Sequence, residues 1–164
     1  MGLNKLEKQT LDAVSNELGV LIVMYDAGAT RLELRAQIEK LEAKIALMPQ
    51  VDHGLTHSFS EGLYIRLAEI LPGTLFTTPI YRQECILTML KGHIVVFTEH
   101  GMTKAEAGDF VVTEKGTKRV ILALDDVLAH TVHPNPDNER NVEVLEDRIY
   151  AKTFADIELE GSLS

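Results

Sequence analysis

The feature that most constrains the fold is a series of short, apolar, β-type runs between about residue 55 and residue 134. Glycine, proline or charged turns separate the runs, for example Pro72-Gly73 and Lys91-Gly92. Short strands at such regular spacing are typical of antiparallel sandwiches and barrels, and not of a βαβ sheet. We therefore expect a β-barrel over residues 51–136. Its predicted strands are Gly62–Leu71, Gly73–Thr78, Glu84–Leu90, His93–Thr98, Asp109–Thr113, Arg119–Leu124 and Val127–Val132.

Residues 1–50 have a different pattern, in which apolar side chains recur every three or four residues. This spacing predicts two helices, each with one apolar seam. Gly28 interrupts the period, and Thr30 with Glu33 forms a capping box that begins the second helix, which ends before Pro49. The seam residues, which we take as candidates for an oligomer contact, are Leu11, Val14, Leu18, Leu21, Leu34, Ile38, Leu41 and Ile45.

The partner of these seams is not determined by the pattern. A helix of about two heptads is marginal in water by itself, so the apolar stripes must be buried. Either the two helices form a hairpin packed against the same chain, or they pack between copies of the chain. A third alternative is that the run Val20–Met24 forms a strand. Residues 137–164 form an acidic C-terminal tail, in which we expect an extra helix or an edge strand.

Charge and composition exclude several classes of partner. The formal net charge of −9 argues against nucleic acid, because affinity for phosphates comes mostly from lysine and arginine. No apolar run approaches the roughly 20 residues of a membrane span, and the first residues lack the pattern of a signal peptide. The single cysteine, Cys85, has no internal disulfide partner. We expect a cytoplasmic protein with neither nucleic acid nor membrane as a partner.

Four glycines in the β region stand at the positions of a known pair of motifs. Gly73 and Gly92 bound the first, and Gly108 and Gly116 lie in the second. On these residues the chain resembles the cupin superfamily, whose motifs read G-x5-H-x-H-x3,4-E-x6-G and G-x5-P-x-G-x2-H-x3-N. The resemblance implies a mainly β fold, a cupin-like double-stranded β-helix or jelly roll, here preceded by an α-helical segment. The glycines would be turn and close-packing positions.

The metal-ligand positions of these motifs hold other residues. Pro79 and Tyr81 replace the two histidines of the first motif, Cys85 replaces its glutamate, and Arg119 replaces the histidine of the second. Three imidazoles and a carboxylate would suit iron, manganese, nickel or zinc. Proline cannot coordinate a metal, and arginine adds a permanent cation that repels a divalent ion. We predict no metal and no cofactor.

A second resemblance covers about residues 62–134. These residues are similar to small cupins of tailed bacteriophages, in which stretches such as H-K-T-E-H and P-G-T-K-R are expected. This chain has Tyr81-Arg-Gln-Glu-Cys85 and Glu114-Lys-Gly-Thr-Lys-Arg119 at the corresponding places. The resemblance implies a phage-encoded protein, for which a place in the virus particle is one expected role.

The ligand-pocket candidates are Tyr81, Glu84, Cys85 and Arg119. A tyrosine hydroxyl and a guanidinium at the barrel mouth could hold an anionic or sugar-like ligand. In the alternative, Arg119 pairs with Glu84 or Glu114 and fills the barrel. His130 and His133 lie three apart in a strand, which sends them to opposite faces. Cys85 in a β run is more typical of a buried hydrophobe than of a nucleophile, so we predict no catalytic residue.

Three functions are consistent with these patterns. The first is a non-catalytic structural or interaction protein that forms a homo-oligomer and contacts other virion proteins. The second is a small-molecule binding protein for a sugar or nucleotide-like compound. The third is a metal-dependent cupin enzyme, an isomerase or oxygenase. Because a fold alone does not determine function, the interior of the barrel decides among them.

Overall fold

The computed structural model describes residues 5–162, with side chains described for residues 16–158. Two helices, α1 (Lys5–Asp26) and α2 (Arg31–Ala46), precede the β region, and two shorter ones, α3 (Val142–Ile149) and α4 (Phe154–Ser162), follow it. The strands are β1 (Thr56–Ser60), β2 (Gly62–Ile70), β3 (Leu75–Thr77), β4 (Ile80–Tyr81), β5 (Cys85–Lys91), β6 (His93–Thr98), β7 (Gly101–Glu106), β8 (Phe110–Thr113), β9 (Val120–Ala123), β10 (Val127–Asn135) and β11 (Tyr150–Ala151).

The strand order identifies the architecture. One sheet has the order β1-β2-β10-β5-β8 and the other β3-β9-β6-β7, and all neighbouring strands are antiparallel. Apart from β1 and the short β4–β11 pair, each sheet has four strands, and the chain passes repeatedly from one sheet to the other. This is the topology of an eight-stranded jelly roll, so the predicted fold class, mainly β with an N-terminal helical segment, is confirmed.

The barrel core lies between the inner faces of the two sheets. Alternation along β10 shows how the sequence makes it: Val127, Ala129 and Thr131 are buried, and the residues between them are more exposed. Apolar side chains from both sheets then pack together. The main members of this core are Ile70, Met89, Ile94, Val96, Ile121 and Ala129.

The two N-terminal helices cover the outer face of the sheet β3-β9-β6-β7. Their seam residues Leu18, Leu21, Leu34, Ile38 and Leu41 form one buried cluster with side chains of β6 and β9, including Val95, Phe97, Val120 and Leu122. The seams are therefore buried within the same chain, as in the hairpin alternative. Ile45 is partly buried against this cluster, whereas the side chains of Leu11 and Val14 lie outside the described residues. The strand alternative for Val20–Met24 is wrong, because α1 includes that run.

Ion pairs attach the helical hairpin to the barrel. The Glu99 side chain, only 1% exposed, accepts hydrogen bonds from Arg31 and Arg35 of α2. Burial by itself would raise the pKa of Glu99, but these hydrogen bonds and charges outweigh burial and hold the pKa below its usual value. Lys118, just before β9, pairs with Glu42 of α2 in the same way. The hairpin is thus fixed by both apolar and charged contacts.

The region predicted as an acidic tail is integrated into the fold. It contains α3, β11 and α4, and β11 pairs with β4 so that Tyr150 lies opposite Tyr81. None of the helices within residues 5–162 is long and apolar enough to cross a membrane.

Candidate functional site

A cavity of about 230 Å³ lies inside the barrel, between the two sheets. Most of its wall is apolar, because inward-facing residues of both sheets line it. Examples of these residues are Ile70, Phe76, Leu87, Ile94, Ile121 and Val127. One region of the wall is polar and contains two arginines, two tyrosines and two threonines. They are Arg66, Thr78, Tyr81, Arg119, Thr131 and Tyr150.

Arg119 is the most unusual residue of this polar region. It is 2% exposed, and its backbone N–H donates to Thr78 Oγ1 over 3.1 Å, which holds the start of β9 against the β3–β4 connection. Its Nη2 donates to the Tyr81 hydroxyl, and its Cζ lies 4.7 Å from the centre of the Tyr81 ring. Its Nε and Nη1 are buried without a hydrogen-bond partner among the described residues. At least three of the five guanidinium N–H donors therefore have no acceptor among the described residues.

A second arginine–tyrosine pair adjoins the first. Arg66 Nη1 donates to the Tyr150 hydroxyl, and the Arg66 Cζ lies 5.1 Å from the centre of that ring. Arg66 also forms an ion pair with Glu146, with 3.0 Å between Nη2 and Oε1. The Tyr81 and Tyr150 rings meet edge to face with their centres 5.2 Å apart. The β4–β11 pairing thus joins both arginine–tyrosine pairs into one cluster.

Three ionisable groups beside this cluster are held in their neutral forms. Burial, followed by the positive charges of Arg66 and Arg119, lowers the pKa of His133 to about 4. Burial raises the pKa of the Cys85 thiol, and the same two arginines only partly oppose this effect. Burial, and then the neighbouring Tyr81, raises the pKa of Tyr150. Since all three groups are neutral near pH 7, they leave the positive charge of Arg119 uncompensated.

Of the four pocket candidates, two line the cavity and two do not. Tyr81 and Arg119 are in contact and line the cavity. Cys85 is buried but does not line the cavity. Glu84 is exposed, because it immediately precedes the inward-facing Cys85 at the start of β5 and side chains alternate along a strand. The side chain of Glu114 is 69% exposed and approaches His100 at 3.6 Å, so neither glutamate pairs with Arg119.

Sequence reasoning missed Arg66 and Tyr150. The signal for Arg66 was present, because an arginine stands at an inward position in the alternation Tyr64-Ile-Arg66-Leu-Ala68 of β2. Tyr150 gave no comparable signal. It reaches the cavity through the pairing of two-residue strands almost seventy positions apart, which no local pattern encodes.

The residues at the metal-ligand positions do not fit a metal. Pro79, Tyr81 and Arg119 line the cavity, and the guanidinium would repel a divalent cation there. Nowhere among the described residues do three or more His, Cys, Asp or Glu side chains form a group that could hold a metal ion. His133 is buried beside Thr131 and His130 is half-buried at the alternate position of β10, as the odd spacing predicted, but His130 and not His133 is among the residues that border the cavity.

Comparison with known proteins gives similarities at the level of structure alone. No protein-family model and no curated protein matches the sequence. Similar solved structures include a cupin-2 domain containing protein from Shewanella frigidimarina, at 13% identity over 58% of this chain and 92% of that chain with a TM-score of 0.44. KdgF from Halomonas sp. is 18% identical over 58% of this chain and 88% of that chain, with a TM-score of 0.45. EutQ from Clostridium difficile is 17% identical over 54% of this chain and 77% of that chain, with a TM-score of 0.44. The fold assignment rests on the strand order, not on these scores.

Proposed function

We propose that the barrel binds a small anionic molecule in its interior cavity. The observation that carries this proposal is the Arg119 guanidinium, which is buried, lines the cavity and keeps Nε and Nη1 without partners. A buried charge without a counter-ion is costly, so such groups normally have a carboxylate or another anion beside them. Within the described residues no acidic side chain forms an ion pair with Arg119. A bound anion would supply the missing charge.

The rest of the cavity wall supports the same proposal. Arginine binds carboxylate and phosphate groups through parallel N–H donors, which gives such a site orientation as well as affinity. His53 lines the same cavity, and its Nδ1 is a further buried polar atom that has no hydrogen-bond partner in the part of the chain that the structure describes. The cavity volume of about 230 Å³ lies below the range of roughly 300 to 1,000 Å³ that is typical of sites for drug-sized ligands. A ligand smaller than a nucleotide is therefore favoured.

Thermal unfolding with simple anions tests this function. The probes are formate, acetate, benzoate, sulfate and phosphate, all as sodium salts at equal ionic strength. An anion present at ten times its Kd should raise Tm by roughly 3 to 6 °C for a chain of this length. We expect Arg119→Met to abolish the shift. Arg140→Met, which removes the same charge from an exposed position, should leave the shift unchanged.

Two results would contradict the proposal. One is an equal Tm shift in the Arg119→Met variant, and the other is the absence of a shift in the wild type with every probe. Circular dichroism establishes whether Arg119→Met is folded. If it is not, Ala68→Leu serves as the second variant, because Ala68 lines the cavity and a larger side chain there should exclude the ligand while both arginines remain.

A second candidate function is that of a structural protein that assembles with its own copies. The observation that favours it is the outer face of the five-stranded sheet, which is unusually apolar for an exposed surface. Phe110 of the edge strand β8 is 70% exposed. Other exposed apolar residues at outward-facing positions of this sheet are Leu63, Ile86, Leu90, Val112 and Val132. Extended apolar patches of this kind mark interaction sites.

We propose a second copy of the chain as the occupant of this face, because an apolar patch can pack against itself about a two-fold axis without charge complementarity. Of the seam residues predicted as an oligomer contact, Leu11 and Val14 have side chains outside the described residues, and for them the prediction stands. On the phage resemblance alone, this role extends to a component of the virion. Detection of the chain in purified particles would support that extension, and its absence from them would remove it.

Sedimentation equilibrium tests the assembly. We expect a dimer in the micromolar range, and we expect Phe110→Glu to shift it to monomer by placing a charge in the apolar interface. Leu32→Glu adds the same charge at a position of α2 that is 72% exposed, and it should leave the dimer intact. A monomeric wild type at about 100 μM, or a Phe110→Glu variant that dimerises like the wild type, would rule out this face as a self-association surface.

A further inference from the structure

Resting on the proposed anion-binding function, we infer the class of the ligand: a monocarboxylate with a compact apolar body. Its carboxylate would lie against Arg119 and its body among the apolar side chains of the cavity. Three properties of the site carry this inference, namely its charge, the geometry of its free donors, and its volume.

The charges of the site favour a ligand with a single negative charge. Two guanidinium groups line the cavity, but the Arg66 charge is already compensated by Glu146 at 3.0 Å. Of these two arginines, Arg119 is the one without a counter-ion among the residues that the structure describes. A monoanion neutralises it, whereas a phosphate monoester dianion would bring a second charge into the barrel. Burial of that second charge without a partner would be costly.

The free donors of Arg119 suit a planar carboxylate. Its Nη2 donates one of its two protons to the Tyr81 hydroxyl, whereas the protons on Nε and Nη1 have no acceptor among the described residues. The Tyr81 ring lies against the guanidinium, with its centre 4.7 Å from Cζ, and restricts the movement of this group. A carboxylate, whose two oxygens lie in one plane, can accept two parallel hydrogen bonds from this group, one from the remaining Nη2 proton and the other from Nε or Nη1.

The volume and lining set the size of the body. A buried apolar cavity of about 150 Å³ accepts benzene. The cavity here, at about 230 Å³, therefore has room for a body of that size and a carboxylate beside it. Because side chains such as Phe76, Leu87 and Ile121 line it, each methylene moved from water into this space strengthens binding. We expect ligands of about six to nine non-hydrogen atoms.

Isothermal titration calorimetry at pH 7 with straight-chain carboxylates tests the inference. From acetate upwards, each added methylene should tighten Kd about fourfold. The trend should reverse at the acid that exceeds the cavity, and this is expected at about eight carbons, the first acid with more than nine non-hydrogen atoms. Benzoate should bind, whereas benzamide, which has nearly the same shape without the charge, should bind at least tenfold more weakly. Phenyl phosphate, which has the same ring with a dianionic head, should also bind at least tenfold more weakly than benzoate.

The variants separate a failure of this inference from a failure of the proposed function. Ala68→Leu should shift the optimum to a shorter acid, and Arg119→Met should remove binding of every acid. If acetate, phosphate and benzoate bind with similar Kd values that all depend on Arg119, the barrel binds anions but the ligand class is wrong. If no acid binds to the wild-type protein, both the ligand class and the proposed function are overturned.

Discussion

Replacement of Arg119 by methionine is expected to raise the free energy of unfolding of the ligand-free protein by about 1 to 4 kcal/mol. The arginine is 2% exposed and has no acidic partner among the described residues, so the folded state without ligand carries the cost of desolvating its charge. Methionine has a similar length and no charge, and it packs readily into irregular apolar space. Urea unfolding at pH 7 in a buffer without carboxylates measures the difference.

Arg35→Met is the matched control and should have the opposite effect. Arg35 donates to Glu99, whose side chain is 1% exposed, so its removal weakens the compensation of a buried carboxylate and should lower stability. If Arg119→Met destabilises the protein as Arg35→Met does, then the contact of Arg119 with Tyr81 is a structural one. Arg119 would then fill the barrel and would not serve as a ligand-binding group.

The predicted gain in stability is also a statement about function. A residue that lowers the stability of the empty protein, at a position where an apolar side chain would fit, is the kind of local conflict that occurs at binding sites. The neighbouring cations differ from Arg119 in this respect, because Arg66 has Glu146 and Lys118 has Glu42 as partners. The barrel otherwise follows the usual pattern of an apolar interior.

The motif positions led to half of the candidate site. Tyr81 and Arg119 stand at two positions of the motifs that the sequence resembles, and the structure brings them into contact. Arg66 and Tyr150 were not found, although they complete the cluster. The inward direction of Arg66 depends on the register of β2, and the place of Tyr150 depends on a long-range pairing. Local sequence carries little information about either.

The helical seams show a different limit. Periodicity predicted correctly that one face of each helix is apolar, and the capping box at Thr30 is present in the structure. The pattern could not indicate what covers that face, because burial against β6 and burial against another chain require the same residues. The apolar strand β9 indicated what covers that face. It is buried at all four positions, and a continuous buried run of this kind is typical of a sheet that is covered on both faces.

Strands with little apolar content were missed for a related reason. In β7, five of the six residues are exposed or only partly buried, so the strand shows no alternation of apolar and polar residues. It is an edge strand, paired on one side with β6, and edge strands commonly carry polar residues. The seven strands predicted from apolar runs are all present, with ends shifted by up to three residues.

Substitution of Gly92 by alanine is expected to destabilise the fold by about 2 to 5 kcal/mol. Gly92 joins β5 to β6 with φ +81°, a left-handed conformation that costs an L-residue about 1 to 2 kcal/mol. A Cβ atom there would also lie 2.3 Å from the carbonyl oxygen of Asp126 and 2.6 Å from an Asp125 carboxylate oxygen. Because the nearer atom belongs to the backbone, the turn must move. That movement would also disturb the 2.7 Å hydrogen bond from the His93 N–H to Asp125.

Gly73→Ala separates the two parts of this cost. Gly73 opens the first motif with a similar φ of +76°, but a Cβ atom there would have no neighbour within 4 Å. Only the conformational term applies, so we expect a loss of about 1 to 2 kcal/mol in urea unfolding. Equal losses in the two variants would show that the close approach at Gly92 relaxes without cost. A larger loss at Gly92 would show that one motif glycine is required for packing and the other only for its turn, although both fit the same sequence pattern.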